Sequence, residues 1–195
     1  MENTIVSLAL FAFASSITPG PNNLMLMNSG ANFGVVRTLP HWIGVVTGFL
    51  ALLLLAGIGV GAVILARPEI ESAFRALCAA VIVWLGWKIA RTRPAEETGS
   101  ARKPLTFLQA FAFQAINPKA WIMALTANSL FAAGGALGDV QVVMVVFGAV
   151  NLPCTGLWLL SGELIQRLLR KDTHFRVFNV VMALLLIGSS LPMLL

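Results

Sequence analysis

Thr18-Pro19-Gly20-Pro21-Asn22-Asn23, near the start of the chain, and Asn117-Pro118-Lys119, past its middle, interrupt long apolar segments at matching positions in the two halves. Proline has no backbone donor and disfavours helix in the residue before it, so each interruption ends one helix and begins another. Hydrocarbon offers no water to the freed backbone groups. A broken span therefore persists only where protein buries it or a wet cavity runs beside it. Two such breaks predict a shared cavity near the membrane midplane, as in carriers whose binding sites are built from paired half-helices.

Composition agrees with a membrane setting. Of 195 residues, 58% are hydrophobic and 11% charged, against about 25% charged in an average soluble domain. The mean hydropathy is +0.87. At about 20 apolar residues per crossing, this length accommodates roughly six or seven helices and no separate soluble domain. The net charge of +5 does not point to nucleic acid, because the basic residues fall between apolar segments rather than along one face. Cys78 and Cys154 lie inside apolar segments without metal-ligand or CxxC spacing, which predicts buried small hydrophobes and no metal. The first segment, Thr4 to Ile17, is short and apolar like a secretory leader, but it is preceded by Glu2 and no basic residue. It is read as the first half of a broken span.

Apolar runs place spans at about Thr4 to Phe33, Leu39 to Ala66, Phe74 to Ala90, Leu105 to Ala133, Val140 to Gly162 and Val177 to Leu195. Arg91 to Pro104 has the Pro, Glu, Gly, Ser and basic residues of a solvated linker. The order broken, long, shorter recurs on either side of it at an offset of about 100 residues. Because each half holds an odd number of spans, the second enters from the opposite side. The expected fold is an all-α integral membrane protein of six transmembrane helices. It forms one domain of two inverted three-helix repeats (about 1–91 and 105–195, joined by 92–104), with the first and fourth helices broken.

Charge asymmetry sets the orientation. One side carries Arg37, Lys88, Arg91, Arg93, Arg102, Lys103, Arg167, Arg170, Lys171 and Arg176; the other carries only Arg67 and Arg75. The richer loops, including 91–104, are expected in the cytoplasm and both termini outside. Gly44 and Gly48, and Gly57 and Gly61, are spaced for close helix contacts. The resemblance of Gly57 to Ala62 to a nucleotide-binding loop is set aside, since no strand precedes it.

The chemistry concentrates at the breaks. Asn117 is a strong N-cap and Pro118 suits the first helical position. Each restart presents N–H groups and the positive end of a helix dipole, which attract an anion such as an amino-acid carboxylate. Lys119, in the first turn of such a helix, costs roughly 3 kcal/mol at membrane depth. Either a negative partner offsets it or it snorkels to water. Asn22, Asn23, Asn28 and Asn32 follow the first break and Gln114 precedes the second. Their amides can receive an ammonium and donate to a carboxylate, or cap the half-helices and bond to neighbouring spans. The candidate substrate site is thus Pro19, Gly20, Pro21, Asn22, Asn23, Gln114, Asn117, Pro118 and Lys119.

Elsewhere the expectations are plainer. His41 and His174 stand near span entrances, where they could titrate, and are read as interfacial rather than as a proton relay. Glu163 is expected to pair with Arg167 at i,i+4. Trp84, Trp87 and Lys88 are expected to anchor the end of the third span, and Met25 and Met27 to pack in the core. All carboxylates fall in or beside predicted loops, which argues against a cation channel and leaves a proton carrier unidentified.

The strings Ser16-Ile17-Thr18-Pro19-Gly20-Pro21-Asn22-Asn23 and Phe113-Gln114-Ala115-Ile116-Asn117-Pro118-Lys119-Ala120 resemble the LysE/RhtB family of amino-acid exporters. The likeness extends over the whole chain, including Ile82-Val83-Trp84-Leu85-Gly86-Trp87-Lys88 and the basic linker after it. The TPGPNN string is specific; NPK alone would be weak. The resemblance implies a bacterial inner-membrane secondary carrier, exporting amino acids by proton antiport and needing no cofactor. The Trp-rich end of the third span looks closer to the homoserine, threonine and cysteine branches than to the lysine branch. The absence of intramembrane carboxylates agrees with a neutral substrate. Protons and membrane lipid are the other expected partners, with the oligomeric state open, a homodimer included. Two alternatives remain: a carrier of lipid or of another metabolite, and a structural membrane subunit. An intramembrane enzyme lacks parts, since there is no HExxH, GxSxG or carboxylate cluster.

Overall fold

In a computed structural model, residues 2–60, 66–91, 103–134, 136–166 and 172–190 are described, and no strand occurs among them. Among the described residues eight α-helices follow one another: α1 (Glu2–Ile17), α2 (Pro21–Phe33), α3 (Val35–Gly57), α4 (Pro68–Ala90), α5 (Phe107–Phe113), α6 (Pro118–Phe131), α7 (Leu137–Gln166) and α8 (Asp172–Ser190). A 3₁₀ turn at Gln114–Ile116 extends α5 toward the second break. Most of the linker, Gly61, Arg93, Arg102, Arg167, Arg170 and Lys171 lie outside the described residues.

Local chemistry sets the ends of these helices. Pro21, Pro68 and Pro118 each open a helix, where a missing N–H costs nothing. Glu69 and Glu71 sit in the first turn of α4, against the positive end of its dipole, and Glu71 also pairs with Arg75 at 2.7 Å. Thr106 and Gln109 form a reciprocal capping box at α5: Thr106 Oγ1 accepts from Gln109 N, and Gln109 Oε1 from Thr106 N. Gly34, at φ 76°, turns α2 directly into α3 through a conformation that side chains disfavour. The N–H of Val35, newly exposed there, donates to Glu163 Oε2 at 2.8 Å.

The α3, α4, α7 and α8 helices are each long and apolar enough to cross a membrane, and α1 with α2 form a pair bent by 53° at the first break. In the most apolar stretch of each crossing helix, half or less of the residues are buried. Side chains such as Leu10, Val145 and Leu184 remain largely exposed. A soluble monomer would not carry so much exposed apolar surface, which suits a membrane setting. The expected fourth span is cut into α5, the 3₁₀ turn and α6, and neither α5 nor α6 alone has the length of a crossing.

Packing exchanges partners between the halves. The broken pair α1 and α2 lies on α7, the long helix of the second half, while α5 and α6 lie on α3, the long helix of the first. α4 and α8 pack together. Glycines make the exchange possible. A side chain at Gly162 would meet the backbone carbonyl of Met27, and one at Gly30 the carbonyl of Leu159, so α2 and α7 approach backbone to backbone. Gly44 and Gly48 play the same part on α3, against the backbone at Phe107 and Phe111 of α5. One core cluster centres on Phe49, Phe147, Leu53 and Trp121, with Phe147 meeting both Phe11 and Phe49 edge-on. A second joins Leu24 and Met25 of α2 to Ile82, Leu85, Met182 and Leu186.

Candidate functional site

The last carbonyls of α1 have no helical partners, and residues from three other helices supply them. Asn23 Nδ2 donates to Ser16 O (2.7 Å) and Thr18 O (2.9 Å). Trp158 Nε1 donates to Ile17 O (3.1 Å). Lys119, reaching across from the second break, donates through Nζ to Thr18 O (2.8 Å), Thr18 Oγ1 (2.9 Å) and Pro19 O (3.0 Å). An ammonium has three hydrogens, and all three are engaged. The lysine is thus offset by a negative partner, the end of another helix.

Gly20 explains how the lysine gets there. Its backbone is extended, which any residue can adopt. A methyl group on it, however, would stand 2.5 Å from Lys119 Cδ. Glycine is required here for close approach.

The two breaks are joined a second time by amides. Asn22 Nδ2 donates to Gln114 Oε1 at 2.8 Å, and Gln114 Nε2 returns a bond to Asn22 Oδ1 at 3.0 Å. Gln114, fully buried, also donates to Ala110 O within its own helix. Asn117 caps α6 as expected, accepting from Ala120 N at 3.4 Å, and Pro118 begins that helix. Of the nine candidate residues, Asn22, Gln114 and Lys119 thus link the breaks directly. Asn23, Asn117 and the prolines shape the helix ends. We expect a double-mutant cycle of Asn22→Ala and Gln114→Ala, read by thermal unfolding in detergent, to give a coupling of about 1 kcal/mol. Strict additivity would remove the pair as a link.

Sequence reading missed several contributors. Asn151 Nδ2 donates to Ser16 Oγ, and Trp42 Nε1 to Thr155 Oγ1. Asn179 Oδ1 accepts from Asn28 Nδ2 at 2.6 Å. Polar residues inside apolar helices were the available signal, but nothing in the sequence paired them. One expectation is overturned. His41 is not interfacial: only 1% exposed, it sits with Nδ1 3.1 Å from Ser29 Oγ. Glu163 accepts from Val35 N at the start of α3, a role the sequence did not show; its expected partner Arg167 lies outside the described residues. Trp84 and Trp87 are half exposed, with Lys88 and Arg91 over their rings at 5.1 and 4.7 Å. Cys78 and Cys154 are free, buried thiols on different helices.

Two spaces adjoin these residues. Between Ser16, Asn22, Asn117, Lys119 and Asn151 lies a void of about 20 Å³, enough for a water and too small for an amino acid. Further along α2, a cavity of about 480 Å³ is walled by Met25, Asn28, Ser29, His41 and Leu85. This is within the usual range of small-molecule sites. The exposed residues Lys88, Arg91 and Lys103 also line it.

Residues 13–195 match the family model described as LysE type translocator. The chain belongs to this family. Among curated proteins, this LysE-type chain is similar to the cysteine/O-acetylserine efflux protein of Escherichia coli O139:H28 (strain E24377A / ETEC), 36% identical over 184 residues, which cover 91% of this chain and 90% of that protein. The cysteine/O-acetylserine efflux protein of Escherichia coli (strain K12) is 35% identical over 184 residues with the same coverage. No solved structure matches the chain. Family and apolar helices together make it a multi-pass membrane protein.

Proposed function

We propose that this LysE-type protein is a secondary exporter of small neutral amino acids or their derivatives, of the kind the relatives' names describe, in the bacterial inner membrane, driven by proton antiport. The observation that carries the reading is the capture of Lys119 by three oxygens of the opposite break. That contact couples the two halves at the point where a carrier must change shape. The exchange of packing partners, each broken pair on the other half's long helix, supports two inverted repeats of about 1–91 and 105–195.

In this conformation the breaks are closed around a water-sized void while the larger cavity stands open beside α2. On the charge count, the open side is the cytoplasm. Lys88, Arg91 and Lys103 there draw the substrate carboxylate inward. The substrate then reaches the half-helix starts as the Asn22 and Gln114 amides part. The free N–H groups of Asn22 and Asn23, which precede the first intrahelical bond from Leu24 to Gly20 O, can receive the carboxylate. Rocking of one repeat against the other closes the cavity and opens the far side.

The test is counterflow in proteoliposomes. Protein loaded with unlabelled cysteine, O-acetylserine, threonine or homoserine should accumulate the labelled compound saturably, and an imposed proton gradient should change the rate. Folded protein that exchanges none of a full amino-acid panel would refute the reading. The orientation is checked separately: single cysteines placed in 92–102, in a variant with Cys78 and Cys154 replaced, should be labelled from the cytoplasmic side of membrane vesicles only.

A further inference from the structure

An antiporter needs a group that holds a proton in one state and yields it in another, and no carboxylate among the described residues lines the large cavity. The described carboxylates Glu69 and Asp139 are exposed, and Glu71 is engaged with Arg75 at the start of α4. Glu163 is committed to the N–H of Val35. Lys119 has its three hydrogens on three oxygens. Neither Cys78 nor Cys154 lines the large cavity.

His41 differs from all of these. It is buried, yet it forms part of the wall of the 480 Å³ cavity. Its Nδ1 lies 3.1 Å from Ser29 Oγ, and its Nε2 makes no hydrogen bond among the described residues. The serine hydroxyl can accept from Nδ1–H or donate to bare Nδ1, so the pair accommodates either neutral tautomer. With Nδ1–H donating to Ser29, the Nε2 lone pair is left to take a proton, and the imidazolium that results keeps its serine bond.

We propose that His41 is the proton-coupling residue of this carrier, taking and releasing its proton at Nε2. The inference rests on the transport reading above. The charges around His41 give the exchange its direction. α2 and α5 contribute no ionisable side chain. Arg37 on α3, Lys88 and Arg91 at the end of α4, and Lys103 are cationic. α8 brings Arg176 and His174, both exposed, and begins at Asp172, and α7 carries Glu163. A cavity rimmed by cations disfavours a second positive charge on His41, so in this open state the proton leaves to the basic side. The carboxylate of an entering amino acid is taken by Lys88, Arg91 and Lys103, and its α-ammonium, directed away from them, repels a protonated His41. Proton and substrate therefore exclude one another without touching the same atoms, which is the requirement for antiport.

The experiment uses full-length protein in proteoliposomes with labelled cysteine or threonine. In His41→Gln, whose amide retains a partner for Ser29 but cannot titrate, proton-gradient-driven flux should fall at least tenfold. Substrate-induced alkalinisation or acidification, read with a trapped pH dye, should vanish, and exchange should remain measurable. In Ser29→Ala the pH midpoint of gradient-driven flux should shift by about half a unit or more. Undiminished gradient-driven flux with proton movement in His41→Gln overturns the proposal. If His41→Gln loses exchange as well, Ser29→Ala decides: an unmoved pH profile overturns the proposal and a shifted one sustains it. Wild-type protein silent in exchange with every amino acid strikes the transport reading itself and takes this inference with it.

Discussion

Lys119→Ala should lower amino-acid exchange at least ~100-fold, while the protein still inserts and keeps its helicity. The substitution removes three hydrogen bonds at once: Thr18 O keeps Asn23 and the Thr18 hydroxyl keeps Ser15 O, but Pro19 O loses its lysine and the two breaks lose their charged link. A hydrogen bond to a charged group contributes about 1.5–3 kcal/mol, and tenfold in rate corresponds to about 1.4 kcal/mol. The loss of two such bonds where the two breaks meet therefore suffices for the predicted effect. It also leaves the negative end of α1 unopposed. Lys119→Met, which preserves length and apolar bulk, should fail equally, because the ammonium is what the carbonyls require. Gly20→Ala should reproduce part of the loss by displacing Lys119 from its oxygens. Measured in proteoliposomes with circular dichroism as the folding control, wild-type exchange by Lys119→Ala would remove the lysine from the mechanism.

Gly162→Ala should reduce stability by about 1–3 kcal/mol, and Gly162→Leu should prevent assembly of the bundle. The added carbon at position 162 meets the Met27 carbonyl, which is backbone and cannot rotate away. Gly30 presents the same obstacle from the α2 side, against Leu159 O. Relief requires α2 and α7 to separate, and α2 carries Asn22, Asn28 and Ser29, so damage at this contact spreads to the candidate site. Gly188→Ala is the control. Its added carbon meets nothing within 4 Å, and relief of glycine's entropy cost should leave it neutral or slightly stabilised, within about 1 kcal/mol. Thermal unfolding in detergent, followed by tryptophan fluorescence or precipitation, compares the three. Equal midpoints for Gly162→Ala and Gly188→Ala would contradict the close backbone contact.

The breaks were legible because proline acts locally: Pro19, Pro21 and Pro118 interrupt a helix whatever surrounds them. The N-cap at Asn117 was legible for the same reason, since an Asx side chain and its N–H partner are only three residues apart. His41 and Glu163 show where local reading stops. A histidine near the start of an apolar segment looks interfacial, and only the arrival of α2 alongside α3 buries it against Ser29. A glutamate four residues before an arginine looks like a surface pair, and only the approach of α7 to the start of α3 gives it the Val35 N–H. Gly44 and Gly48 could be read as a contact face but not as the seat of α5.

The membrane class and the places where helices break follow from composition, periodicity and proline chemistry, which operate over a few neighbouring residues. The charge balance of Lys119, the pairing of Asn22 with Gln114 and the cavity against His41 are tertiary facts. Each joins residues from different helices, about 100 positions apart in the first two cases. Hydrogen-bond geometry selects such partners only after backbone packing at glycines such as Gly30 and Gly162 has set the distances between helices, and no local pattern of residues encodes those distances.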